Sequence, residues 1–228
     1  MGRLAWEMSQ LGFVVEANEC SIVMATAASN ILNGKVPNGT LHPFCYDSMV
    51  NEISVNERYQ SVNFPDIDIT GMENSMGGSL SYTIGDFVRA YSSPSRQSSF
   101  DVIVTCFFID TATNIYEYIS VIKYILRNGG RWINYGPLQW HQNALLTPSA
   151  EELRQVIEKT GFDVKYWDID QNQINYRSEV EEHTRYTRNE GYHSLRFEVI
   201  YREGVHEQKT FNEANAIRRN IRGISSLI

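Results

Sequence analysis

Phe100-Asp101-Val102-Ile103-Val104-Thr105-Cys106-Phe107-Phe108 is a nearly continuous apolar run, and it passes directly into Ile109-Asp110-Thr111-Ala112. Such a run is what a strand covered on both faces needs, so it predicts a central strand of a parallel sheet. Ile115, Tyr118, Ile119, Ile122, Ile125 and Leu126 then recur at the spacing of one apolar helix face. Asn128-Gly129-Gly130 is expected to end that helix in left-handed conformations that other residues resist. Arg131 to Tyr135 reads as the next strand, broken by Gly136-Pro137. Strand, helix and strand in this order make one crossover unit.

Working outward, Ser149 with Glu152 three residues later forms a capping box for a helix through Leu153, Val156 and Ile157, stopped by Gly161. Phe162 to Ile169 and Leu195 to Tyr201 read as the last two strands, with antiparallel pairing. Upstream, Leu80 to Ile84 is a strand ending at Gly85-Asp86-Phe87. Leu4, Met8 and Leu11 lie at helical spacing before Gly12, Phe13 to Glu16 is a short buried strand, and Ser21 caps a helix running to Leu32. Residues 33–79 are polar and irregular, with Pro37, Pro43 and Pro65, and a helix is expected near Ser48 to Ile53. The tail after Arg202 is charged, with a short helix expected near Asn215 to Arg222. The order predicts an α/β protein whose sheet is mostly parallel with an antiparallel C-terminal strand. A doubly wound sheet normally opens with a strand. Here a helix comes first, so the first strand and its glycine loop are expected to lie outside the sequence, before Met1-Gly2-Arg3-Leu4. One domain over residues 1–205 and a tail over 206–228 are expected.

With 42 % hydrophobic and 21 % charged residues, the composition is that of a globular domain with a well-buried core. A net charge of −7 argues against general affinity for nucleic-acid backbones. Cys20, Cys45 and Cys106 form no C-x-x-C pair and no zinc spacing, which fits a reducing compartment. No apolar run has the length of a membrane span and no signal-peptide pattern appears, so a soluble cytoplasmic protein, nuclear as well on the widest reading, is the expectation. No metal site is expected.

Ligands of open α/β sheets bind at the C-terminal ends of the strands. Three such ends carry chemistry here. Glu19 follows the strand Phe13 to Glu16; an acid there can accept both hydroxyls of a nucleotide ribose, or can be a solvated loop acid that caps the next helix. Asp86 can accept from an adenine amino group with Phe87 packed on the ring, or can cap a helix in a plain turn. Asp110 can hold a carboxylate over the cleft, or can cap the helix containing Ile115. His141 lies just after the Gly136-Pro137 break, where a lone histidine is either a site residue or a surface one. Tyr176 and Tyr192 lie in a tyrosine-rich region whose rings serve mostly as packing.

Together these segments resemble the carnosine N-methyltransferase family. The matching pieces are Gly2-Arg3-Leu4-Ala5-Trp6-Glu7, Asn18-Glu19-Cys20-Ser21, Phe64-Pro65-Asp66-Ile67-Asp68, Gly85-Asp86-Phe87, Thr105 to Ala112, and Gly129-Gly130-Arg131-Trp132-Ile133-Asn134-Tyr135-Gly136-Pro137-Leu138, in family order over about residues 2 to 200. The combination of Thr-Cys-Phe-Phe-Ile-Asp-Thr-Ala with Trp-Ile-Asn-x-Gly-Pro-Leu is the specific part. The resemblance implies a Rossmann-like methyltransferase fold, a soluble homodimer, and transfer of the methyl group of S-adenosyl-L-methionine to an imidazole nitrogen of the dipeptide carnosine, giving anserine. It implies that Gly2 closes the cofactor loop, Glu19 holds the ribose, Asp86 and Phe87 hold the adenine, and Cys106 lies near the cofactor through its main chain. Asp110, His141 and Tyr192 match positions that contact the dipeptide, with Phe107 and Tyr176 as neighbours, and Asp110 is expected to be the catalytic carboxylate. A methyltransferase for another histidine-containing peptide or protein, an inert truncated binding protein and a nicotinamide-dependent oxidoreductase are the competing readings.

Overall fold

The computed structural model describes residues 2–42, 45, 55–65, 78–172 and 192–203. The helices expected near Ser48 to Ile53 and Asn215 to Arg222, the segment Asp66-Ile67-Asp68, and Tyr176 lie outside the described residues. The chain divides into two compact units, residues 1–90 with 175–190 and residues 91–174 with 191–228.

In the first unit, α1 (Arg3–Gln10) precedes β1 (Val14–Glu19), and α2 (Ile22–Leu32) follows it. The strand β1 runs three residues beyond the expected Glu16, because its partner β4 (Ser79–Ile84) pairs with it in parallel along its full length, Val14 with Ser79 through Glu19 with Ile84. The irregular stretch after Asn33 contains an antiparallel pair, β2 (Gly39–Leu41) with β3 (Val62–Phe64), and a single-turn helix α3 (Val55–Arg58). These are too short and too exposed to leave a periodic signal. A short helix α4 (Phe87–Tyr91) follows β4.

The second unit is a four-stranded sheet in the order β5-β6-β8-β7, from β5 (Phe100–Cys106), β6 (Leu126–Gly136), β7 (Phe162–Ile169) and β8 (Leu195–Tyr201). β5 and β6 are parallel; β8 is antiparallel to both β6 and β7. Helix α5 (Ile115–Ile125) connects β5 to β6 and packs on β6, while α6 (Ala150–Lys159) packs on β7. Ile119, Ile122, Leu153 and Ile157 are fully buried on these helices. Trp132, Phe162 and Phe197 meet edge to face at 4.9–5.8 Å between ring centroids in the same core.

Two details differ from the sequence reading. Helix α5 ends at Ile125, before Asn128-Gly129-Gly130, and the three residues lie within a register shift of β6, where Phe100 faces Leu126 and Val102 already faces Arg131. Gly129 does take a left-handed φ of 82°, so the glycine is used to bulge a strand rather than to end a helix. Second, β5 is not covered on both faces. Ile103 and Thr105 face the core with Trp132 and Asn134, whereas Val102 and Val104 are 42 % and 37 % exposed. An unbroken β-branched run conceals this alternation, because the open face is as apolar as the buried one.

The capping box forms as read: Ser149 Oγ accepts from the Glu152 N–H, and the Glu152 carboxylate accepts from the Ser149 N–H at 2.8 Å. These bonds hold the Glu152 carboxyl below its ordinary value. Ser149→Ala is expected to lower stability by about 1 kcal/mol. Glu158→Ala, which removes the exposed i,i+4 pair with Arg154, should cost under roughly 0.5 kcal/mol. Urea unfolding of both variants beside the wild type checks the ranking.

Candidate functional site

In the first unit the functional groups gather at the C-terminal ends of β1 and β4. Asn18 fastens the two ends: its side-chain amide donates to the carbonyls of Thr83 at 3.0 Å and Gly85 at 3.1 Å. The Gly85 N–H donates to the Glu19 carbonyl at 2.9 Å. Glu19 is half-buried, and one carboxylate oxygen accepts from the Ser21 N–H at 2.8 Å. Ser21, not Glu19, caps α2 by accepting from the Met24 N–H. The second carboxylate oxygen of Glu19 has no hydrogen-bond partner among the described residues. Asp86 is exposed, and one of its oxygens accepts from the Arg89 N–H at 3.0 Å, which caps α4. Phe87 is buried, 8 % exposed.

Gly2 precedes α1 at φ 72°, ψ 0°, and its carbonyl accepts from the Trp6 N–H. A side chain there would be strained by the backbone and would also meet the Tyr82 hydroxyl, 2.2 Å from the position of a Cβ. Tyr82 is a residue the sequence reading missed. Ala17 faces Tyr82 and Glu19 faces Ile84, so alternation puts Tyr82 on the face of β4 that matches Glu19 on β1. Burial, and then the nearby Glu19 charge, push its phenol above the ordinary value. The alternation of Leu80, Tyr82 and Ile84 was visible in sequence, but only the parallel register aligns it with Glu19.

In the second unit the site is built on the turn after β5. Phe107 takes φ 51°, unusual for a residue with a side chain, and its N–H donates to the Tyr135 carbonyl at 2.9 Å. This turn lies against Gly136, where a Cβ would come within 2.9 Å of Phe107 N and 3.0 Å of Phe107 Cα. Ile109–Thr111 then forms a short 3-10 turn that carries Asp110. Asp110 does not cap α5; Asn114 does, its side chain accepting from the Tyr116 N–H. The Asp110 side chain is instead turned inward, 6 % exposed, and one carboxylate oxygen accepts from the Gln139 N–H at 3.1 Å. The Asp110 carbonyl accepts from the His141 N–H at 3.1 Å, so the segment after Gly136-Pro137 is tied to Asp110 twice.

Burial pushes the Asp110 carboxyl above the ordinary carboxylate value. The N–H of Gln139, its own N–H and the His141 ring pull in the opposite direction and do not cancel the desolvation. His141 itself is exposed. Tyr192 is buried, 7 % exposed, and its ring meets Phe107 edge to face at 5.3 Å. Cys106 is exposed at the end of β5, and partial desolvation raises its thiol. The structure thus brings Asp110 together with His141, and Phe107 with Tyr192, around a single turn. A buried carboxylate beside a histidine and two aromatic rings can accept a ring N–H and place an aromatic ligand. Among the described residues no group of three or more His, Cys, Asp or Glu is placed to hold a metal ion. No helix among them is long and apolar enough to cross a membrane.

Comparison with known proteins bears on both halves. A methyltransferase from Methanosarcina mazei described as S-adenosylmethionine-dependent superposes with a TM-score of 0.55 over 88 % of each chain, at 11 % identity. The cyclase SpnF superposes with a TM-score of 0.50 over 89 % of this chain and 72 % of its own, at 11 % identity. These establish the fold, and the second shows that one fold carries different reactions. Carnosine N-methyltransferases from Rattus norvegicus and Dictyostelium discoideum are 36 % and 35 % identical over 172 and 176 residues, 72 % and 74 % of this chain. The relative from Schizosaccharomyces pombe is 34 % identical over 181 residues. The chain spans less than half the length of these curated relatives, 42 %, 37 % and 48 % of them. The family model for carnosine N-methyltransferase matches residues 1–202, and the chain belongs to that family.

Proposed function

We propose that this chain carries the cofactor and substrate residues of an S-adenosyl-L-methionine-dependent N-methyltransferase that methylates an imidazole nitrogen of carnosine, giving anserine. The single observation that carries the proposal is Asp110: a carboxylate buried in the turn after β5, uncommitted to any helix cap, with His141 tied beside it. We read residues 1–205 as one methyltransferase domain and 206–228 as a tail, with a homodimer as the assembly and the cytoplasm as the compartment.

The first unit fits the cofactor. Glu19 keeps one oxygen unengaged at a strand end, where a ribose diol can donate to it. Asp86 likewise keeps an oxygen free for an amino group. Gly2 offers close backbone approach, since its left-handed backbone strains any side chain there. Phe87 is buried, so it supports the adenine site from below. When bound, the sulfonium supplies an already activated methyl group. No acid is therefore required to activate a leaving group.

The protein's remaining work is alignment and proton placement. A neutral imidazole has one N–H and one lone pair, and it is largely neutral near pH 7. Asp110 accepts the substrate N–H, which selects the tautomer and directs the other nitrogen's lone pair outward. The same carboxylate stabilises the cationic ring that forms. Its burial strengthens that pairing, because charge interactions are larger where water is excluded. His141 and Tyr192 position the ring and the dipeptide ends, and Cys106 contacts the cofactor through its main chain.

Asp110→Asn should lower turnover on carnosine roughly a hundredfold or more while leaving S-adenosylhomocysteine affinity unchanged in calorimetry. Equal loss of both would overturn the role. Mass analysis of products from a panel of histidine dipeptides tests the substrate; methylation of another histidine peptide in place of carnosine would favour that relative. Glu19→Gln should weaken S-adenosylhomocysteine binding roughly tenfold, and unchanged affinity would remove Glu19 from the ribose site.

Asp110 also makes a pH prediction. Its folded-state value is raised, so the unfolded chain ionises first as pH increases. Stability is then full below the ordinary carboxylate range and is lost as pH rises through the raised folded value. Asp110→Asn removes this loss and should be the more stable protein at neutral pH. Urea unfolding at neutral pH and at successively lower pH should show the difference shrinking toward the carboxylate range.

A further inference from the structure

Trp132 and Asn134, two residues of the Trp-Ile-Asn segment, play no part in the chemistry described above, yet both side chains are buried, at 0 % and 2 % exposure. Together with Thr105, 3 % exposed, they form a continuous chain of hydrogen bonds across three strands. The Trp132 indole N–H donates to Thr105 Oγ1 at 2.9 Å. Thr105 Oγ1 donates to Asn134 Oδ1 at 2.8 Å. The Asn134 side-chain amide donates to the Leu195 carbonyl at 3.0 Å. The direction is fixed by the two ends. An indole N–H only donates and a main-chain carbonyl only accepts, so the threonine hydroxyl and the asparagine amide between them have one consistent orientation. Every member is satisfied, which makes the chain rigid.

Its position matters more than its stability. Thr105 lies two residues before Phe107, the turn from which Asp110 is hung. Asn134 lies two residues before Gly136, the residue against which that turn packs. Leu195 lies three residues after Tyr192, whose ring meets Phe107. The chain therefore ties together the roots of the three segments that carry Asp110, His141 and Tyr192.

We propose that Thr105 and Asn134 are positioning residues of the substrate site: their hydrogen-bonded chain sets the spacing between the Phe107–Asp110 turn and Tyr192, and so governs imidazole binding without touching the ligand. The proposal rests on the imidazole-substrate reading. It places specificity in the sheet, where side chains join β5, β6 and β8 at the roots of the Phe107 turn and of Tyr192.

The test uses Thr105→Val, which keeps the shape and removes the hydroxyl, and Thr105→Ser, which keeps the hydroxyl. Carnosine binding is followed through its imidazole proton resonances, and S-adenosylhomocysteine binding by calorimetry. Thr105→Val should weaken carnosine roughly 10- to 100-fold, with Thr105→Ser within about twofold of wild type. S-adenosylhomocysteine affinity should be the same in all three. Trp132→Phe serves as the control, since it disturbs the same core but leaves the Thr105–Asn134–Leu195 portion intact. It should lower the melting temperature and leave carnosine affinity unchanged. Carnosine affinity that is equal in Thr105→Val and wild type, or that falls in step with melting temperature across all variants, would overturn the positioning role alone. A wild type that binds S-adenosylhomocysteine but no histidine dipeptide would overturn the substrate reading and this proposal with it. Should Thr105→Val not fold, Thr105→Cys, of similar size and with a far weaker donor, is read the same way.

Discussion

The approach of Phe107 to Gly136 is the constraint on which the second unit's chemistry depends. With no side chain at Gly136, the chain leaving β5 can turn directly against the end of β6, and Phe107 is held at a positive φ by its bond to the Tyr135 carbonyl. That turn directs Asp110 inward instead of onto the end of α5, a place already taken by Asn114. It also presents the Phe107 ring to Tyr192. A methyl group at Gly136 would have to displace backbone rather than a flexible side-chain end, and the carboxylate would move with it.

Holding Asp110 in this place has an energetic cost. A buried carboxylate with incomplete compensation favours the unfolded chain at neutral pH, and only a function that uses the charge gives a reason to keep it. The environment supplies partners, the Gln139 N–H above all, that keep an acid in the interior, but too few to bring its carboxyl back to the ordinary value. The same logic holds in the first unit in milder form. Glu19 and Asp86 each have one oxygen anchored by a main-chain N–H and one left over. Anchoring one oxygen fixes the orientation of the other, which is what recognition of a ribose or an amino group needs.

Beneath the turn, polar and aromatic groups divide the sheet's interior. Rings of Trp132, Phe162 and Phe197 supply the apolar mass, while Thr105 and Asn134 hydrogen-bond to one another, to the Trp132 indole N–H and to the Leu195 carbonyl. A core of aliphatic residues alone could hold the strands together equally firmly. The side-chain hydrogen bonds add a direction that apolar contacts lack.

Much of this was legible in the sequence. Periodicity located α5 and α6, the capping box located the start of α6, and the apolar run with its terminal acid located β5 and Asp110, because those signals are local and each is produced by a few neighbouring residues. Whether Asp110, Glu19 and Asp86 were site residues or helix caps stayed open, since a cap and a ligand-binding acid use the same residue types in the same places. Tertiary structure assigned the caps: Asn114 and Ser21 cap the helices after Asp110 and Glu19, and Asp86 caps its own. Only the folded chain could show the open face of β5, the alignment of Tyr82 with Glu19, and the three-strand chain through Thr105 and Asn134. Each of these depends on which strands lie side by side and in what register, and that is decided by pairing between residues tens of positions apart, where no local pattern is written.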